Sequence, residues 1–331
     1  DEKAYTRLGR GTAVTGRLDR DAMDETVEAL GRMLQIAHGR EVTHVRAVAT
    51  AAVRNAANGP AFVARIREEL GLDVEVISEE HEGRLAFLSA AETADLSGRA
   101  AVIDIGGASV EIVRSVDGEF TSVASLPLGA VVGTERAGSG DRLSARAHDE
   151  FTGHVRALLT DARIGARPAE VVVGSGGTVV AVVVLARAEA TAMSAGVHGL
   201  TVGADEVSRV RTMLAGSSAA ERAAMKGMPA SRVDIITAGA IVLDEAVHAL
   251  GAPALTVNAR GMREGIIIEA VRLERGVTSP LDRVGWIRGF GRSCRSDAPH
   301  AEQVRRLALE LFDGLVDDAG LYAASRPLLE A

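Results

Sequence analysis

The sequence predicts an α/β protein of two lobes followed by the start of a helical C-terminal region, and three observations carry that prediction. Short apolar runs alternate with longer segments of helical period through the first 275 residues, the pattern of a sheet covered by helices. Two Gly-rich turns, Gly106-Gly107 and Gly174-Ser175-Gly176-Gly177-Thr178, each follow an apolar run and stand about seventy residues apart. Beyond Gly276–Pro280, which reads as a linker, one amphipathic stretch at Ala301–Leu315 leaves too little chain to enclose a core. The expected division is therefore 1–96, 97–275 and 276–331.

The elements follow in order. Met23, Val27, Leu30 and Leu34 recur at helical spacing, so a helix is expected over Asp21–His38 with Asp19 or Asp21 as its cap. A strand is expected over His44–Thr50. Pro60 opens and Gly71 closes a helix over Pro60–Leu70. Val74–Ser78 reads as a strand, Glu80–Glu92 as a helix and Arg99–Ile105 as a strand. Glu111–Leu126 reads as a hairpin turning at Asp117-Gly118. Gly129–Gly140, short of large residues, is expected to be a loop, and Ala145–Ile164 a helix. Val171–Val173 is a strand running into the second Gly turn, with an apolar helix after it. Arg232–Leu250 is expected to be a long helix broken at Gly239, Leu255–Val257 a strand and Gly261–Arg272 a helix.

Composition excludes several classes. The net charge of −8 argues against general affinity for nucleic acid. No run approaches the ~20 apolar residues of a membrane span. Cys294 is the only cysteine, which excludes an internal disulfide and a cysteine metal cluster and suits a reducing cytoplasm. Neither Gly turn has the G-x-G-x-x-G pattern of a dinucleotide site, and no Walker lysine follows either.

The segment Val102-Ile103-Asp104-Ile105-Gly106-Gly107-Ala108-Ser109-Val110-Glu111 carries the chemistry most clearly. Its glycines let backbone N–H groups approach an anion. Asp104 and Glu111 flank the turn with carboxylates, the oxygen ligands that Mg²⁺ prefers. Two such turns in separate units could hold a polyphosphate or nucleotide between lobes, as in the fold of actin, hexokinase and the heat-shock-70 ATPases.

Further segments sharpen that likeness. They are Ala49–Ala56, Val74–Ser78 with Glu82-Gly83-Arg84-Leu85, Arg232-Val233-Asp234 with Ala238-Gly239, and Arg260-Gly261-Met262-Arg263-Glu264-Gly265. With the two Gly turns they form an ordered set that resembles the exopolyphosphatase / guanosine pentaphosphate phosphatase (Ppx/GppA) family from about Arg7 onward. The resemblance implies a two-lobed actin-like, ribonuclease-H-like fold. It also implies a Mg²⁺-dependent enzyme, often dimeric, that removes the terminal phosphate of polyphosphate or pppGpp. By position, Glu82 matches the catalytic carboxylate that activates water, and Asp104 and Glu111 the metal-associated carboxylates. Arg54 matches an arginine on substrate phosphate, while Gly106, Gly107, Ser109, Gly176, Gly177 and Thr178 match phosphate-contacting turns.

This sequence also departs from that pattern. Family members usually read Gly-Gly-Gly-Ser-Thr-Glu where Ala108 and Val110 stand here. Ala108 suits the turn only at negative φ, and Val110 removes a hydroxyl. Thr237 replaces a usual Pro and Ser175 a usual Thr. His81 stands where Glu is usual and is expected to be exposed and no metal ligand, Arg84 to pair with a nearby Glu, and His300 to be structural. Arg260 and Arg263 could line the cleft or sit on the surface. Arg283, Arg288, Arg292, Arg295, Arg305 and Arg306 could hold a distal polyphosphate tail or form a solvated face. The family's first phosphate hairpin has no counterpart after Asp1, so the chain is expected to lack the opening strands of its first lobe and to be weakly active or inactive. A non-catalytic phosphate-binding regulator is the second reading, and a sugar or acetate kinase of the same superfamily the third.

Overall fold

Residues 2–138, 141–187, 196–275, 298–315 and 326 are described by a computed structural model. The chain divides into two units, Asp1–Arg275 and Gly276–Ala331.

The first unit opens with a short helix α1 (Thr12–Thr15) and the long α2 (Arg20–Gly39), whose cap Asp19 accepts a hydrogen bond from the Ala22 amide. Strand β1 (Ala47–Ala49) is followed by one helical turn, α3 (Ala51–Arg54). Helix α4 (Gly59–Leu70) carries Pro60 in its first turn and stops at Gly71, at φ 64°. Strand β2 (Val74–Val76) pairs parallel with β1. Leu18, Val27, Val53, Phe62, Ile66 and Leu72 form the core beneath these elements. The strand expected at His44–Thr50 contracts to three residues, because Ala47–Ala49 finds only the three-residue β2 as partner while Val42 and Val45 stay exposed.

Helix α5 (Glu79–Ala91) is capped by the Ser78 hydroxyl and lies on the larger sheet. That sheet comprises β3 (Arg99–Ile105), β4 (Val110–Val116), β5 (Glu119–Leu126), β6 (Val171–Ser175), β7 (Thr201–Gly203) and β8 (Ala254–Val257), in the order β5-β4-β3-β6-β8-β7. Side-chain alternation splits β3 between two cores. Ala100 and Val102 pack with Phe87, Ala90, Val113 and Val173 under α5. Ala101, Ile103 and Ile105 face the main core on the opposite side. The main core also takes in α7 (Ala145–Asp161), α8 (Gly177–Ala186), α9 (Ala204–Ala215) and α11 (Ile236–Ala249).

Three expectations are corrected here. Gly129–Gly140 contains a helix, α6 (Ala130–Ala137), whose Ala130, Val132 and Ala137 are buried; small residues suffice because it packs closely against α11 and α7. The expected helix from Arg232 begins instead at Ile236, after a 3₁₀ turn at Ala230–Arg232. It runs through Gly239 unbroken: a Cβ there would stand 2.6 Å from Thr178 Cγ2, so the glycine permits packing. The segment between α8 and α11, which has no strong period, also holds β7, α9 and α10 (Ala219–Ala224), both helices closed by a Glu at their third position. Helix α12 (Met262–Arg275) ends the unit.

In the second unit the described structure is chiefly α13 (Ala298–Leu315), with Val304, Leu307, Leu311 and Leu315 exposed. His300 is exposed on it; Arg305 pairs with Glu302 and Arg306 with Glu310. Gly276–Pro280, Arg283, Arg288, Arg292, Cys294 and Arg295 lie outside the described residues. No described helix is long and apolar enough to cross a membrane.

Candidate active site

A polar row crosses the sheet at the end of β3. Asp104 stands opposite Glu111 of β4 and Ser175 of β6, and Glu111 stands opposite Ser125 of β5. Residues directly opposite share a face, so all four lie beyond the apolar patch covered by α5. The two hydroxyls satisfy the two acids: Ser175 Oγ donates to Asp104 Oδ1 at 2.8 Å, and Ser125 Oγ donates to Glu111 Oε1 at 2.9 Å. Neither acid forms an ion pair with a described residue. Burial pushes Glu111 up to about 8, with the charges of Glu82 and Asp104 adding to the effect. Asp104 is raised as well, by loss of solvent first and then by the Glu264 charge.

Glu82 reaches this row from the first turn of α5. The approach depends on Gly83, where a Cβ would meet Val123 Cγ2 at 2.6 Å; only glycine lets the helix settle so close to β5 and β4. Arg54, at the end of α3, donates one Nη1 to Glu82 Oε2 at 2.9 Å and to the Ile77 carbonyl at 2.9 Å. Its buried Nε and Nη2 make no hydrogen bond with a described residue, although Nη2 lies 3.8 Å from Glu79. Burial raises the Glu82 carboxyl, Arg54 opposes that shift, and Asp104 reinforces it.

The β3–β4 turn is held from behind. The Gly106 amide closes it on the Ser109 carbonyl at 3.0 Å. The carbonyls of Gly106, Gly107 and Ala108 accept from the amides of Gly129, Ala130, Val131 and Val132, where α6 begins. A helix N-terminus offers donors without internal partners, and here they take the turn's acceptors. The amides of Gly107, Ala108 and Ser109 then make no hydrogen bond with a described residue. Ala108 fits, since it is not among the non-glycine residues at positive φ. Val110 is fully buried in the main core, a place where a hydroxyl would need its own partner.

The second turn opens α8. Gly176 sits at φ 92°, and the buried Thr178 hydroxyl makes no hydrogen bond with a described residue. Over Gly177 lies the Arg232 guanidinium, so near that a Cβ at Gly177 would overlap it. Arg232 makes no side-chain hydrogen bond or ion pair with a described residue, and burial lowers its pKa.

The structure thus brings Glu82, Asp104 and Glu111 into one electrostatically coupled group, with Arg54 beside it and a Gly turn at each side of Asp104. Gly106 differs from the expectation in one respect: its amide is spent inside the turn. Arg84 pairs with Glu80 and lies 4.2 Å over the Phe120 ring. His81 is not exposed as expected. It is partly buried against Glu269, with Nε2 2.8 Å from Oε1, because α12 packs along α5. Arg260 and Arg263 are exposed at the start of α12. The reading of the sequence gave no role to Arg232, Ser125 or the start of α6. Arg232 stood in a quoted motif, whereas counting pairs back from Asp117-Gly118 would put Ala124 opposite Glu111; a register shift at Arg114/Ser115 brings Ser125 there instead.

Comparison with known proteins bears on the family and the fold. The profile of the Ppx/GppA phosphatase family matches residues 1–274. The crystal structure of the Aquifex aeolicus family member is 30% identical, with 81% of this chain and 87% of that chain covered and a TM-score of 0.68. An exopolyphosphatase-like protein is 25% identical, covering 81% and 87%, with a TM-score of 0.73. An exopolyphosphatase from Cytophaga hutchinsonii, 24% identical, shares the fold over 84% and 89% of the two chains at a TM-score of 0.75. The chain belongs to the Ppx/GppA phosphatase family, with its actin-like α/β fold, and is a hydrolase of that class.

Proposed function

We propose that this phosphatase releases the terminal phosphate of a phosphoanhydride chain, inorganic polyphosphate or pppGpp, by attack of a water molecule activated by Glu82. The observation that carries the reading is the meeting of Glu82 and Arg54, 2.9 Å apart, at the edge of a row of acids without an ion pair to a described residue, between two turns with donors that no described residue takes. Hydrolysis of a phosphoanhydride is chiefly positioning and charge stabilisation. Arg54 has buried donors to spare for phosphate oxygens, and so do the amides at Gly107–Ser109 and the hydroxyl of Thr178. A carboxylate of raised pKa is a better proton acceptor than an ordinary one, and burial gives Glu82 that property.

The donor set fits a divalent cation. Asp104 and Glu111 are oxygen ligands whose ionised forms repel each other and Glu82. Among the described residues no three His, Cys, Asp or Glu side chains form a ready-made cage. Mg²⁺ needs none, since it binds through one or two carboxylates together with waters and substrate phosphates. Asp104 and Glu111 would hold it; when bound it would neutralise charge on the phosphate oxygens. Similarity to proteins described as exopolyphosphatases favours the polyphosphate arm. Phosphate release from long-chain polyphosphate and from pppGpp, each with Mg²⁺, tests the reading. Turnover of at least one is expected; turnover of neither, with tight binding retained, would leave a phosphate-binding regulator in its place.

A further inference from the structure

Arg7 lies in the loop before α1, at φ 49°, a left-handed backbone that side-chain-bearing residues seldom adopt. Its guanidinium grips Asp234 with both terminal nitrogens, Nη2 donating to Oδ1 at 2.8 Å and Nη1 to Oδ2, and it also donates to the Ser231 carbonyl at 3.3 Å. The loop reaches the candidate site. A Cβ on Gly9 would stand 3.5 Å from that of Ala108 in the β3–β4 turn and 3.7 Å from that of Ala52 in α3. The Gly11 amide donates to Glu135 of α6 at 2.6 Å. Two residues before Asp234, Arg232 covers the second turn with no side-chain hydrogen bond or ion pair to a described residue. One short segment therefore presents a cation over a phosphate-type turn and an anion that occupies the next cation along.

We propose that Arg7 is a ligand for the phosphates upstream of the one removed, and that Asp234 holds Arg7 until substrate takes it. The inference rests on the reading of the cleft as a phosphoanhydride site. Magnitudes favour the exchange. The Arg7 and Asp234 side chains are 33% and 49% exposed, and an ion pair so open to water contributes little. A phosphate offers the same forked acceptor with more charge and can draw on the neighbouring Arg232. Substrate therefore displaces Asp234 at small cost, whereas Arg54, buried against Glu82, stays in place.

Equilibrium binding of inorganic polyphosphate to the full chain, with phosphate release measured in parallel, tests this. Arg7→Gln should weaken binding and raise KM roughly ten-fold, the loss of a charge-assisted pair. Asp234→Asn should tighten binding roughly three-fold by freeing Arg7 from a weak pair, and the double variant should behave as Arg7→Gln alone. Unaltered binding in Arg7→Gln, or binding weakened by Asp234→Asn as much as by Arg7→Gln, would overturn the proposal and leave the pair a structural clasp. If wild type binds polyphosphate with this pattern but hydrolyses neither substrate, the Arg7 assignment stands and the hydrolytic reading fails. Hydrolysis without the pattern has the opposite meaning.

Discussion

Two groups of buried carboxylates in the first unit have opposite surroundings. On α11, Asp244 and Glu245 are 4% and 6% exposed. Arg211 donates to both, at 2.7 and 2.6 Å, and Arg156 takes Glu245 in a forked pair at 2.7 and 3.1 Å. Burial would raise Glu245, but Arg156 and Arg211 outweigh it and hold the group below its ordinary value. In the polar row at the end of β3, Glu111 is 1% exposed and has no ion pair with a described residue, so burial, with the charges of Glu82 and Asp104, pushes it up to about 8. Burial is common to both; the difference is the cation. The α11 acids are each paired with arginine, whereas Asp104 and Glu111 have no ion pair with a described residue. Strongly perturbed acids in a cleft mark candidate sites for this physical reason.

The largest expected effect separates chemistry from architecture. Glu82→Gln should lower kcat by about 10²–10⁴-fold, the usual contribution of general-base help, with circular dichroism unchanged. Wild-type turnover in that variant would remove Glu82 from the mechanism. Next comes pH. Unfolded, Glu111 loses its proton near the ordinary carboxylate value of 4.5; folded, it keeps it to about 8. Between those values the folded state binds more protons, so stability falls as pH rises. Melting without divalent metal should therefore move to lower temperature from pH 5 to pH 8, and added Mg²⁺ should restore part of the loss at pH 8. A flat profile would mean that the cleft already neutralises Glu111.

A smaller effect concerns the approach of α5 to the sheet. Gly83→Ala places a Cβ against Val123 and should cost about 1–3 kcal/mol by overpacking, read by denaturant unfolding, with turnover falling as Glu82 is displaced. Unchanged stability would show that the helix can ride outward freely. The smallest is Arg84→Ala, which removes a surface pair with Glu80 and a contact with Phe120 and should cost under about 1 kcal/mol. A larger loss would place Arg84 with the α11 arginines.

The sequence carried the cleft further than it carried its supports. Asp104, Glu111 and the Gly turns stood out because two carboxylates flank a Gly-Gly turn after an apolar strand, and Glu82 and Arg54 entered through the resemblance to the Ppx/GppA family. Helix α6 was not legible: Ala130-Val131-Val132-Gly133 has no large residues to show a period, yet its first amides fix the β3–β4 turn. Arg232 was hidden because nothing in one dimension places its guanidinium over Gly177. His81 was read as exposed because the neighbour that buries it, Glu269, lies 188 residues away.

The contrast between the two acid groups is tested most directly by Glu111→Gln beside Glu245→Gln, each followed by thermal melting without divalent metal at pH 8 and by phosphate release with Mg²⁺. Glu111→Gln should raise Tm and abolish most turnover, because it removes a repelled charge together with a carboxylate proposed to hold the metal. Glu245→Gln should lower stability by about 2 kcal/mol, since it breaks charged hydrogen bonds to Arg156 and Arg211, and should leave turnover near wild type. A lower Tm with turnover retained in Glu111→Gln would contradict the account, because that acid would then be architecture and the cleft would not be the site.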